Sequence, residues 1–143
     1  MNKLILATVL CLTTLFFTNC NKNDNPLPSN TDHITRSPWK FDKATSGGGD
    51  ISGLVNACYK DNVTTFLANG NGTLDEGTTK CNSSDPQSVN FTWNFTNNGS
   101  TLNVTGGIIV GQSGAFSVIT LNETQMVLEG TISSVTAQVY FKH

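Results

Sequence analysis

From Ser37 to the end of the chain, apolar and polar residues alternate with a period of two, the pattern typical of β-strands and not of helices. The clearest segment runs from Val89 to Thr96, where four apolar residues alternate with Asn and Thr. This alternation predicts a strand with one face in a core and the other in solvent. An Asn-Asn-Gly-Ser turn at 97–100 leads into a second alternating segment at 101–105, so the two segments predict a hairpin.

Similar segments follow one another along the chain, separated by turns rich in Asn and Gly, and bring the predicted number of strands to about eight. They span 38–44, 62–68, 73–76, 115–121, 125–132 and 135–141. Residues 46–57 lack the alternation and predict a loop or a single helical turn. Sequential hairpins favour a small antiparallel up-and-down barrel, because closing the sheet leaves no free edge. We therefore predict an all-β fold.

The first 19 residues have the pattern of a secretory signal. A positively charged start precedes 14 uncharged residues, Leu4 to Phe17. As a helix this run spans about 21 Å against a hydrocarbon core of roughly 30 Å, so a transmembrane helix is the weaker alternative. The segment Leu15-Phe16-Phe17-Thr18-Asn19-Cys20 resembles the lipobox of bacterial lipoproteins, in the relaxed form of Bacteroidetes. The resemblance implies cleavage before Cys20 and a lipid on its thiol. A secreted protein with a spare thiol is the alternative.

The chain then divides into three predicted parts. Residues 1–19 are the signal peptide, and residues 20–34 are the lipidated cysteine and a flexible tether. The tether is polar and contains two prolines, a linker composition that reaches about 20 Å as a coil. Residues 35–143 are the barrel domain.

Two cysteines, Cys58 and Cys81, remain in the mature chain once the signal and the lipidated cysteine are set aside. An exported protein meets an oxidising compartment, so an even remainder predicts one disulfide. A metal site is the alternative, but the two histidines, His33 and His143, both lie in terminal segments. A zinc site of the Cys₂His₂ type would require both termini to converge. We therefore predict no metal and no cofactor.

The composition excludes some classes of function. Only 13% of residues are charged and the net charge is −2, so the basic surface that nucleic-acid binding needs is missing from the sequence. Asn, Thr, Ser and Gly together make 62 of the 143 residues and supply the polar faces of the strands.

Candidate catalytic motifs are weak, and we predict that the protein is not an enzyme. Gly111-Gln112-Ser113-Gly114 lacks the second glycine and the following helix of a nucleophile elbow, and is interpreted as a loop. Asp75 and Glu76 are adjacent, so in a strand they point to opposite faces and do not form a catalytic pair.

Several short motifs over residues 35–143, taken in their order and spacing, resemble the lipocalin-like domains of Bacteroidetes lipoproteins. They are Trp39-Lys40-Phe41, Ala57-Cys58-Tyr59-Lys60-Asp61-Asn62, the segment 65–73, Gly77, Cys81 and Trp93-Asn94-Phe95. The resemblance implies a small eight-stranded lipocalin-like barrel in which Cys58 and Cys81 are bonded. Together with the lipobox it implies a lipid-anchored protein of the bacterial outer membrane, on its periplasmic or cell-surface face.

Five aromatic residues are predicted to point into such a barrel: Trp39, Phe66, Phe91, Trp93 and Phe95. A barrel of eight strands is either filled by its own side chains or holds one small ligand. The sequence therefore favours a membrane-anchored lipoprotein that binds a small apolar or amphipathic ligand. The alternative is a filled barrel that acts as a structural or protein-interaction module on the cell surface, with a partner that the sequence does not identify.

Overall fold

The computed structural model describes residues 28–36, 38–132 and 134–143. The predicted signal peptide, Cys20 and the first part of the tether lie outside these residues. The described helices are α1 (Asn30–Ile34) and α2 (Ala57–Lys60), with 3₁₀ turns at Ser52–Leu54 and Asn97–Gly99. The described strands are β1 (Trp39–Ser46), β2 (Gly49–Asp50), β3 (Val63–Phe66), β4 (Asn71–Asp75), β5 (Ser88–Thr96), β6 (Thr101–Ile109), β7 (Gln112–Leu121), β8 (Gln125–Ile132) and β9 (Val135–Lys142).

The strands form a closed up-and-down barrel. Strands β3 to β9 follow one another in the sheet, and β1 closes it by pairing with β3 on one side and β9 on the other. All of these pairs are antiparallel. The two-residue strand β2 only extends the hairpin at the end of β1. The predicted all-β barrel of about eight strands is therefore confirmed.

Strand β6 continues to Ile109, four residues beyond the segment predicted for it. Gly106 and Gly107 interrupt the alternation in the sequence and have φ angles of +77° and +66°, which side chains other than glycine rarely adopt. The register between β6 and β7 shifts across this region. The Gly111–Gly114 motif forms the tight turn that follows β6, together with the first residues of β7. The role of its glycine residues is to allow the backbone conformation of this turn.

Helix α1 and three turns form one end of the barrel, which we call the closed end (residues 28–36, 67–70, 97–100 and 122–124). The Ser29 hydroxyl and the Asp32 carboxylate cap the first turn of the helix reciprocally. Ile34 is fully buried, and its carbonyl accepts a hydrogen bond of 2.8 Å from the Trp39 indole N–H. The last residues of the predicted flexible tether, Asn30–Ile34, are therefore part of the folded domain, since a capped helix and a buried isoleucine attach them to the core.

The barrel interior below its open end is filled by side chains. Phe66 contacts Phe91 and Trp93 in edge-to-face geometry, with ring centroids 5.3 and 5.5 Å apart, and Trp93 contacts Phe95 in the same way at 5.6 Å. Gly72 lies opposite Phe91 in the register of β4 and β5. A Cβ atom there would lie within 2.6 Å of the Thr65 carbonyl oxygen and overlap the Phe91 ring. A glycine is therefore required at this point of the core.

None of the helices in residues 28–36, 38–132 and 134–143 combines the length and the apolar character needed to cross a bilayer.

Candidate functional site

A pocket of about 230 Å³ lies at the open end of the barrel, where the interior is not filled; we call it the mouth pocket. Its inner wall consists of residues from β4, β5 and β6 and the position just after β4. Its rim comes from α2, the β4–β5 loop and the β6–β7 turn. The lining residues are Tyr59, Leu74, Glu76, Cys81, Asn82, Asp85, Val89, Gly106, Gly107 and Gly111.

The strand register explains which side chains form the inner wall. Gly72 and Leu74 of β4 are buried, whereas Asn71 and Asp75 are exposed, as expected when alternate residues face inward. Glu76 continues this alternation one position beyond β4 and is buried. Its amide donates a 2.9 Å hydrogen bond to the Gln87 carbonyl oxygen, which keeps the chain aligned with β5. The Glu76 side chain is therefore directed toward the interior by the register.

The segment 51–61, which we call the mouth cover, lies across the open end. At its start the Ile51 amide donates to the Ala44 carbonyl and the Ser52 hydroxyl accepts from the Ala44 amide, both at 2.9 Å. Val55 in its middle is 5% exposed and belongs to the core. Residues 46–57, predicted as a loop or a single helical turn, form β2 and a 3₁₀ turn that lead into α2.

Tyr59 in α2 lies against the β6–β7 turn. Gly111 has a φ angle of +83°, and a Cβ atom at this position would lie 2.6 Å from the Tyr59 ring. The close approach therefore depends on glycine, and it places the tyrosine ring on the rim of the mouth pocket.

A disulfide between Cys58 and Cys81 joins the mouth cover to the β4–β5 loop, and their Cα atoms are 5.1 Å apart. The predicted bond between these cysteines is confirmed. Beside it, the buried Asn62 amide donates to the carbonyl oxygens of Cys58 and Glu76 at 2.8 and 3.1 Å. The mouth cover and the β4–β5 loop, which form two edges of the pocket, are thus held together by a covalent bond and by hydrogen bonds.

The Asp61 carboxylate reinforces this connection from the mouth cover. Its Oδ2 accepts hydrogen bonds from the amide and hydroxyl of Thr78 and from the amide of Thr79, all within 2.9 Å. Desolvation raises the pKa of Asp61, but the hydrogen bonds from Thr78 and Thr79 outweigh it and lower this pKa below its ordinary value. The ionised carboxylate is therefore the form that holds the loop.

Glu76 is the one buried acidic residue among those the structure describes, at 8% exposure. Its Oε2 atom is buried and has no hydrogen-bond partner. A second carboxylate, Asp85, also lines the pocket, and its Oδ2 accepts from the Asn82 backbone and side-chain amides. Within the described chain, the residues that line the pocket include no lysine, arginine or histidine. The mouth pocket therefore has a negative lining and one unsatisfied acceptor.

The five aromatic residues singled out in the sequence all point into the barrel. Trp39, Phe66, Phe91 and Trp93 are buried and Phe95 is half-buried. They lie below the mouth pocket, whose lining residues include none of them. Cys20 lies outside the described residues. Sequence reasoning missed Glu76 as a site residue, although the inward positions of Gly72 and Leu74 indicate that residue 76 faces inward too.

A second depression, of about 600 Å³, lies on the outer surface of β1, β8 and β9. Its polar groups already bond to each other: the Tyr140 hydroxyl donates to Gln138, and the Gln138 amide donates to Glu129. The Lys43 ammonium lies 4.7 Å from the centre of the Tyr140 ring. Since these groups satisfy one another, the mouth pocket is the better candidate for a ligand site.

Comparison with known proteins agrees with the barrel. A model of the lipocalin-like domain matches residues 38–128. No curated protein matches the chain. Among solved structures, Japanin from Rhipicephalus appendiculatus bound to cholesterol is similar, with a TM-score of 0.52 and 12% identity over 77% of this chain and 76% of that one. At such low identity the likeness concerns the fold alone. The family match covers more than half of the chain, which therefore belongs to the lipocalin-like domain family.

Proposed function

We propose that this protein binds a small apolar or amphipathic ligand in its mouth pocket while a lipid on Cys20 anchors it to the bacterial outer membrane. In this role it is a binding protein and not an enzyme. The observation that carries the proposal is a pocket at the open end of a lipocalin-like barrel, walled by inward-facing Leu74 and Val89 above the aromatic core.

The size of the pocket limits the ligand. Pockets that hold drug-sized molecules are about 300–1,000 Å³, and the mouth pocket is about 230 Å³. Japanin, with the same fold, is bound to cholesterol. A molecule of that size would need the aromatic cluster below the pocket to rearrange, so we propose a smaller ligand for this chain.

The membrane anchor rests on the sequence around Cys20. The uncharged run before it and the polar run after it resemble those of a lipoprotein signal. Acyl chains contribute about 0.8 kcal/mol of membrane affinity for each buried CH₂ group, so several chains on one cysteine give a lasting anchor.

Native mass spectrometry of the full chain, purified in mild detergent from its own host, tests the ligand. We expect a mass above that of the lipidated chain, or uptake of small apolar probes. Val89→Trp should abolish that uptake by filling the pocket. Ile119→Trp, on the outer face where Ile119 is 48% exposed, should leave it unchanged. A bare lipidated mass with no probe uptake would contradict ligand binding.

A separate experiment tests the anchor. Substituting Cys20→Ser should shift the protein from the membrane fraction to the aqueous fraction, and Cys11→Ser is the matched control that should stay in the membrane. Retention of the Cys20→Ser protein in the membrane would contradict lipid anchoring.

A protein-interaction module is the second candidate function. It is favoured by the filled interior and by the depression on the outer face of β1, β8 and β9. Mild crosslinking followed by identification of the crosslinked partners separates the two functions. Crosslinks concentrated at Lys43, with no ligand detected in the mouth pocket, would support the interaction module instead.

A further inference from the structure

Glu76 has no structural role that accounts for a buried carboxylate. The side chain is 8% exposed, and its Oε2 atom has no partner among the described residues. The backbone of residue 76, and not its carboxylate, makes the contacts that hold the β4–β5 loop, through Gln87 and Asn62. Burying an acceptor without a partner is unfavourable. In native proteins such groups are accounted for by a binding or catalytic role, by strain, or by an ordered water or ion.

The surroundings of Glu76 determine what kind of partner it can take. The lining residues of the mouth pocket include a second carboxylate, Asp85, and within the described chain they carry no cationic side chain. An anionic ligand would be repelled by the two carboxylates, whereas a cation would be attracted by both. The Lys80 ammonium, which is not among the lining residues, donates a 2.7 Å hydrogen bond to the Asp85 carbonyl oxygen. The torsion that turns a glutamate carboxyl group is broad, so either oxygen can be presented to the pocket.

The rest of the lining points to an organic cation. Tyr59 contributes an aromatic ring to the rim, and Leu74 and Val89 contribute an apolar wall. Aromatic faces also attract ammonium groups. No group of three or more His, Cys, Asp or Glu side chains in the described residues is arranged to hold a metal ion. Two carboxylates alone are fewer oxygen ligands than Ca²⁺ takes.

We propose that the mouth pocket recognises small aromatic or apolar molecules that carry a protonated amine, with the Glu76 carboxylate accepting the hydrogen bonds of the ammonium group. This inference rests on the proposed function, since it names the ligand class of the same pocket. Asp85 contributes through its charge at the rim, because its Oδ2 atom is already bonded to Asn82.

Three probes that share a phenyl ring distinguish the contribution of charge to binding from the contribution of apolar contact. They are 2-phenylethylamine, 2-phenylethanol and phenylacetate. Titration calorimetry of the full chain in detergent should show the amine binding at least about tenfold more tightly than the alcohol, with phenylacetate the weakest. Glu76→Gln should weaken amine binding about 10-fold to 100-fold and leave alcohol binding unchanged. Glu123→Gln is the matched control, because Glu123 is exposed in the β7–β8 turn and pairs with Arg36.

The possible results distinguish the two proposals. If the wild-type chain binds the alcohol as tightly as the amine, or if Glu76→Gln leaves amine affinity unchanged, the amine inference is overturned while small-ligand binding stands. Binding of none of the three probes would also overturn it, and the native mass spectrum then decides the proposed function. The ranking of probes by the wild-type chain needs no variant, so a Glu76→Gln protein that failed to fold would not remove the test.

Discussion

The two ends of the barrel are built differently. At the closed end Ile34 and Trp39 are fully buried, the indole N–H donates to the Ile34 carbonyl, and the Trp39 ring contacts the His143 ring at 4.1 Å. Positive φ angles occur in the turns of both ends, at Asn97 and Asn98 in the closed end and at Val110, with a φ of +44°, at the mouth. Among the described residues, buried side-chain atoms without a partner are His33 Nδ1 at the closed end and Asp61 Oδ1 and Glu76 Oε2 at the mouth.

The difference separates the part of the barrel that provides stability from the part suited to bind. Interiors that are tightly filled contribute most of the hydrophobic free energy. A buried carboxylate without a partner, such as that of Glu76 at the mouth, reduces stability, and native proteins carry such groups mainly at functional sites. The Cys58–Cys81 bond links the mouth cover to the β4–β5 loop covalently. We therefore expect substitutions at the two ends to have opposite consequences for stability and for binding.

The largest effect should come from Trp39→Ala at the closed end. Removing a fully buried tryptophan leaves a cavity, and such changes lower the free energy of unfolding by about 3–5 kcal/mol. Urea unfolding followed by fluorescence measures it. Tyr59→Ala at the mouth is the comparison. It should lower the free energy of unfolding by less than half as much, because Tyr59 is only half-buried. Equal losses from the two variants would remove the distinction between the ends.

Breaking the disulfide should lower stability next most strongly. For the 23-residue separation of Cys58 and Cys81, the chain-entropy model gives about 3 kcal/mol. Amide hydrogen exchange of the Cys58→Ser/Cys81→Ser protein should rise in residues 51–61 and 76–87. Helix α1 should exchange as in the wild type under conditions where both proteins stay folded. Faster exchange throughout the barrel would show that the two ends do not behave independently.

Glu76→Leu should change stability and binding in opposite directions. Replacing an unpartnered buried carboxylate with an apolar side chain should raise the free energy of unfolding by about 1–3 kcal/mol. The same variant should lose the preference for 2-phenylethylamine over 2-phenylethanol. Thermal melting and calorimetry measure the two effects, with Glu123→Leu as the exposed control. A lower melting temperature for Glu76→Leu would indicate that the carboxylate stabilises the mouth in some other way.

The smallest effect should be the pH dependence of the Asp61 contacts. The pKa of Asp61 is lower in the folded protein than its ordinary value of 3.8. Its stabilisation is therefore present above about pH 4 and is lost as the pH falls through the folded pKa. The Asp61→Asn protein should have a slightly lower melting temperature than the wild type at pH 7. The difference between the two melting temperatures should become smaller at lower pH. A gap that stayed constant down to pH 2.5 would contradict this role for ionised Asp61.

The barrel could be predicted because its strands are exposed on one face. Alternation such as Val89 to Thr96 needs water on one side, and the turns carry the Asn and Gly residues that tight hairpins require. The boundaries of the helices and strands were less predictable. Helix α1 lies in a polar, proline-containing segment, and its order comes from Ile34 contacting a distant core. The extension of β6 depends on two glycines that interrupt the pattern.

The mouth pocket could be predicted only in part. The Cys58–Cys81 bond could be predicted by counting cysteines. An even number of cysteines in an exported chain indicates a disulfide without any knowledge of the fold. Asp75 and Glu76 lie on opposite faces, as their adjacency predicts. That Glu76 is both buried and without a partner depends on the position of the β4–β5 loop and the mouth cover. No local pattern in the sequence encodes these long-range positions.

The position of helix α1 has a consequence for the orientation of the whole protein. The described chain enters at the closed end, where Asn30 donates to the Gly99 carbonyl, and it also finishes there, where the His143 imidazole lies 3.0 Å from the Pro38 carbonyl oxygen. Any attachment made through residues before Pro28 therefore connects to the pole opposite the mouth. A surface that held this protein by its N-terminus would be connected to it at the end that leaves the opening free.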